Sequence, residues 1–154
     1  MLFAVHQPTS PFCLGYQGRF RSEPFQITAE LVWEWSAGRW TEWYVHFALE
    51  NRWLAFAQGR YFLSSERPGA VAPDAATLRV GRRYPMLGTD YVLVDDHEAT
   101  LGSIEGQVPW ALTTGYRARI CDFSSGTSRF ACVEYAEHTA TVFAGEVVQE
   151  GDFQ

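Results

Sequence analysis

Residues 24–35, PFQITAELVWEW, carry the reading that decides the fold. Phe25, Ile27, Ala29, Leu31, Trp33 and Trp35 recur at every second position, with Gln26, Thr28, Glu30, Val32 and Glu34 between them. Successive side chains of a strand point to opposite faces, so a period of two indicates a strand with one buried face. A helix would instead spread these rings around its circumference. Ser36, Ala37 and Gly38 then turn the chain. The segment RWTEWYVHFAL resumes the alternation, with Trp43, Val45, Phe47 and Leu49 on one face and Glu42, Tyr44 and His46 on the other. Glu50-Asn51 and Gln58-Gly59 suit tight turns, so residues from about 24 to 64 read as a four-stranded meander.

Working outward, residues 64–76 (SSERPGAVAPDAA) are small, polar and proline-bearing, and read as a linker. TDYVLVDDHEATLGSIEG reads as two strands joined by a turn at Asp95-Asp96, because aspartates accept local backbone hydrogen bonds in turns. The stretches around Cys121 and Cys132 flank SSGTS, a hairpin loop. Centring that turn on Gly126-Thr127 places Cys121 opposite Cys132. HTATVFAGEVVQE reads as a long strand, bent or bulged at Gly145. The expectation is an all-β protein of antiparallel meanders forming two small curved sheets or barrel-like lobes in one globule. It is a single domain over residues 1–154, with lobes at 15–65 and 77–150 joined by the linker.

The composition sustains such a core: 47% of the residues are hydrophobic, with 11 Phe, 7 Tyr and 6 Trp. The net charge is −6, and all 12 basic residues are arginine. An acidic chain with dispersed arginines repels a phosphate backbone, which argues against nucleic-acid binding. Three scattered cysteines make no disulfide framework. With no basic leader segment and no apolar run that could span a bilayer, the expected compartment is the cytoplasm.

No local pattern assigns a catalytic, cofactor-binding or metal-binding residue. His6, His46, His97 and His138 share no metal-ligand spacing, and the glycines form no phosphate loop. No nucleophile elbow occurs. Asp95, Asp96, His97 and Glu98 form the densest acidic cluster, but read as a solvated turn. Trp33, Trp35, Trp40, Trp43, Trp53 and Trp110 are the candidate interface residues, because clustered aromatics either fill a β core or form a binding face. Trp40, just after a turn, is the ring expected to be exposed.

The order of these motifs resembles the uncharacterised, mostly bacterial family DUF4178. Trp40, Glu42 and Trp43 match its W-x-E-W-like element, and Trp53, Leu54, Gly59 and Tyr61 its following strand. Tyr91, Glu105, Gly106, Pro109, Trp110, Gly115, Asp122, Glu134, Tyr135, Gly145 and Glu146 continue in family-like order. The chain departs from its relatives in carrying Gly115-Tyr116 where a Gly-Asp pair is common, and in having Cys13 alone where some carry a CxxC zinc ribbon. The resemblance implies no catalytic residues and no cofactor. It does imply a protein partner, with membrane-associated partners among the options. The expected function is therefore a non-catalytic protein-interaction or assembly module. A carrier of a small or lipid-like ligand and a hydrolase-type enzyme are the alternatives. Self-association through open strand edges is carried alongside the monomer.

Overall fold

The computed structural model describes residues 9–154. Ten antiparallel strands form one sheet: β1 (Gln17–Phe20), β2 (Glu23–Trp35), β3 (Gly38–Phe47), β4 (Asn51–Ala57), β5 (Arg60–Glu66), β6 (Arg83–Met86), β7 (Thr89–Gly106), β8 (Arg117–Ser125), β9 (Arg129–Ala136) and β10 (Thr139–Val148). The spatial order is β1-β2-β3-β4-β5-β10-β9-β8-β7-β6, and β2 also pairs with β7. That last pairing closes eight strands into a barrel and leaves β1 and β6 outside it. The two meanders legible in the sequence are thus the two halves of one closed barrel, β2–β5 and β7–β10. Closure removes the barrel's free edges, leaving β1 and β6 at the ends of the strand order. Among the described residues no helix is long and apolar enough to cross a membrane, and the only helical turns are Ala75–Thr77 and Glu150–Asp152.

Three apolar clusters hold the described residues together. One fills the barrel, with Ala29, Leu31, Trp33, Trp40, Trp53, Leu101 and Ile120 among its members. A second covers the outside of β2–β5, where Phe12, Phe20 and Phe153 pack on Phe25, Trp43, Phe47 and Tyr61. A third covers the outside of β7–β10, where Leu78, Tyr84 and Met86 pack on Leu93, Phe123 and Val133. The segment after β5 therefore serves as a strap across the second half of the barrel.

Register shifts occur at three places in the sheet, and two of them redirect the aromatic and ionisable side chains of β2 and β7. In β2 the register against β3 shifts between Ile27 and Ala29. The extra residue reverses the facing, so Phe25 and Ile27 join the outer cluster while Ala29, Leu31 and Trp33 point into the barrel. The six alternating residues therefore do not share one face. In β7 the register against β8 shifts between Leu93 and Asp95. Asp95-Asp96 is consequently not a turn: β7 runs unbroken from Thr89 to Gly106.

The β8–β9 hairpin forms at SSGTS, but one step away from the expected pairing. Ser125 pairs with Arg129 across a three-residue loop whose Gly126 has φ 67°, so Cys121 faces Val133 and Asp122 faces Cys132. The sequence-based register assumed an even loop, and a one-residue slip sends alternate side chains to opposite faces. Cys121 lies in the outer cluster and Cys132 borders the barrel interior. Gly145 carries no bulge either. β10 pairs with β5 in continuous register from Phe143 to Val148, and a Cβ at Gly145 would collide with the Leu63 carbonyl oxygen.

Candidate functional site in the barrel interior

The β7 bulge decides the chemistry of the interior. Before it, Tyr91 and Leu93 face the outer cluster; after it, Ala99 and Leu101 face inward, and Asp95 and His97 share their phase. Asp95 stands directly opposite Asp122 of β8, which in turn stands opposite Cys132 of β9. One rung along, His97 is opposite Ile120, and Ile120 opposite Glu134. Directly opposed side chains on antiparallel strands have Cβ atoms about 4.5–5.5 Å apart, and like charges so placed repel.

Asp95, His97 and Asp122 can each offer a ligand atom within 4.8 Å of the others. His97 Nδ1 lies 3.5 Å from Asp95 Oδ2. The backbone N–H of Asp96 donates to Asp95 Oδ1 at 3.0 Å, which orients that carboxylate. The His97 side chain is only 8% exposed, and neither ring nitrogen has a hydrogen-bond partner among the described residues. Its ring is enclosed by Trp35, 4.3 Å away between centroids, and Trp40, 5.5 Å away at 86°. Burial pushes the imidazole pKa down, against the opposing pull of the Asp122 and Asp96 carboxylates.

Beneath this group the interior holds further acids. Trp40 Nε1 donates to Glu42 Oε1 at 2.8 Å. Trp33, stacked on Trp40 at 5.9 Å, brings its indole N–H near the same carboxyl but outside hydrogen-bond geometry. Burial raises the Glu42 pKa from 4.5 to about 7, and Glu134 and Asp122 add to the rise. Burial also raises Glu134, with the neighbouring Tyr116 hydroxyl opposing it, and holds the Cys132 thiol well above its ordinary range.

On the outer face of the same strands, Arg119 grips Asp96 through two hydrogen bonds of 2.8 and 2.7 Å. That pairing holds the Asp96 carboxyl below its usual range. Cys121 beside it is buried and raised to about 12, first by burial and then by Asp96.

The candidate interface tryptophans separate into distinct environments. Trp33, Trp40, Trp43 and Trp53 are buried, Trp35 is half-buried, and Trp110 is exposed. The expectation that Trp40 is exposed is wrong: it is 1% accessible, because its register partner is Trp33 and the two rings stack inside the barrel. Trp43 belongs to the outer cluster. Trp110 lies over Trp53 at 5.7 Å and 15°, with Tyr44 edge-on at 5.7 Å. His46 is exposed and hydrogen-bonds Asn51, His138 sits in the β9–β10 turn, and His6 lies outside the described residues.

Sequence reasoning set Asp95 and His97 aside as a solvated turn and gave Asp122 no chemical role. The available signal was the spacing Asp95-x-His97 within a β-branched stretch, which puts both side chains on one face of a strand. Two open clefts lie elsewhere. One runs past Tyr61, Gly59 and Glu150; the other lies over the paired β5 and β10 strands and carries Arg52, Arg67 and Arg129.

The chain belongs to the family described as "Domain of unknown function (DUF4178)", whose family model matches residues 13–150. No curated protein and no solved structure matches it.

Proposed function

We propose that this DUF4178 chain is a non-catalytic binding module that takes up a positively charged group at Asp95, His97 and Asp122. One observation carries this reading: two carboxylates opposed on adjacent strands converge with a buried imidazole beneath indole rings. Partly buried carboxylates attract a cation more strongly than exposed ones, and the faces of tryptophan rings attract it too. Binding is favoured over turnover because Trp35 and Trp40 pack against the His97 ring, which suits a small group better than a substrate. The carrier reading loses ground for the same reason, since the barrel interior is occupied by packed side chains.

The test is a titration followed by the indole and imidazole resonances of Trp35 and His97, using methylammonium, methylguanidinium, Zn2+ and Mn2+ in turn. Saturable perturbation by at least one of them, lost in Asp122→Asn, is expected. Silence from all four would reject the reading.

A second reading, docking of a protein partner, is favoured by Trp110. This ring is 40% exposed and rests on Trp53 and Tyr44, the arrangement of an interface anchor supported from below. Capture from native cells should lose its partner with Trp110→Ala and keep it with Val80→Ala, another exposed apolar position. Equal capture by both variants would count against this face.

A further inference from the structure

We propose that Asp95, His97 and Asp122 form a binding site for a divalent transition-metal ion of the zinc or manganese class. The proposal rests on the cation-binding reading above and names the cation.

The donor set comes first. One imidazole nitrogen and two carboxylate oxygens suit zinc, manganese or iron better than they suit calcium or magnesium, which prefer all-oxygen shells. Protein ligands bind zinc at about 2.0–2.2 Å, so two atoms on one tetrahedral ion lie roughly 3.4 Å apart. His97 Nδ1 and Asp95 Oδ2 are already 3.5 Å apart, and all three ligand atoms fall within 4.8 Å of one another. Side-chain adjustment alone can close the remaining distance.

The buried imidazole is independent of the acids. Buried polar side chains are normally hydrogen-bonded, and leaving one unsatisfied costs roughly 1–3 kcal/mol. His97 is 8% exposed, yet both its ring nitrogens lack a hydrogen-bond partner among the described residues. A coordinate bond would satisfy one of them.

The surroundings hold the ligands in place, as outer-shell groups do in metal sites. The Asp96 N–H fixes Asp95 through Oδ1 and leaves Oδ2 toward His97. Arg119, bonded twice to Asp96 on the outer face, pins the β7 backbone between the two ligands. The Trp35 and Trp40 rings fix the imidazole plane. Three protein ligands leave coordination positions open, so a further donor from solvent or a partner would complete the shell.

The experiment uses the full chain, stripped with a chelator and dialysed, then titrated calorimetrically with Zn2+, Mn2+ or Mg2+. One equivalent of Zn2+ or Mn2+ should bind, with Mg2+ much weaker. His97→Ala and Asp122→Asn should each weaken affinity at least tenfold, while His46→Ala, remote and hydrogen-bonded to Asn51, should leave it unchanged. Because His97→Ala could unfold the barrel, a second measurement uses the unaltered protein. Stoichiometric Mn2+ should broaden the His97 ring resonances before those of His46 and His138. Metal binding that ignores both substitutions, or broadening that spares His97, would overturn the proposal. So would failure of Zn2+ and Mn2+ to bind while methylammonium or methylguanidinium does, though the cation-binding reading would then stand. If no cation binds, both fall.

Discussion

Replacing Glu42 by Gln tests the electrostatic account of the barrel interior. Glu42 is half-buried, accepts a hydrogen bond from Trp40 Nε1, and lies within the fields of Glu134 and Asp122. Its pKa is raised from 4.5 to about 7 in the folded protein, chiefly by burial. The folded state therefore holds this proton over a pH range in which the unfolded chain has released it. Stability falls as pH rises through that window and levels off above it, opposite to the usual carboxylate. At about 1.36 kcal/mol per pH unit of displacement, the loss is about 3 kcal/mol. Gln keeps the acceptor oxygen and cannot ionise. In chelator-treated protein, urea unfolding at intervals from about pH 4 to pH 8 should show the two proteins close together at the acid end. By about pH 8 the variant should be the more stable by about 3 kcal/mol. Stability differences that stay constant across that range would refute the reasoning, since they would mean that Glu42 titrates alike in both states.

Further expectations concern packing, backbone and thiol chemistry. Trp40→Ala, which empties a 1% accessible site stacked on Trp33, should cost about 3–5 kcal/mol in urea unfolding; a cost below about 1 kcal/mol would contradict the burial. Gly145→Ala should destabilise by roughly 1–3 kcal/mol or more, because its methyl would strike the Leu63 carbonyl where β10 crosses β5; a neutral result would mean that the strands are not so close. In the native protein an aromatic disulfide reagent should modify exposed Cys13 rapidly and the buried Cys121 and half-buried Cys132, both with raised pKa, only on unfolding. Immediate release of three equivalents of chromophore would refute that placement.

The alternation of Phe25 to Trp35, and of Trp43, Val45 and Phe47, was sufficient by itself to determine strands, turns and antiparallel meanders, because strand periodicity is a local property of the chain. Composition likewise determined that the chain had the apolar residues for a sizeable core, but not which tryptophans would fill it. What only the tertiary structure decided is which side each residue faces. Bulges near Thr28 and Val94 reverse the phase within single strands, sending Phe25 and Ile27 outward and bringing Asp95 and His97 into phase with the inward-facing residues. A three-residue loop at Gly126 moves the β8–β9 register by one and sets Asp122, rather than Cys121, opposite Cys132. The β2–β7 pairing, between strands far apart in sequence, then closes the barrel and brings Trp35 and Trp40 over His97. Facing changes completely with a one-residue change in register. Register here follows from closing the whole barrel, which no short stretch of the sequence contains.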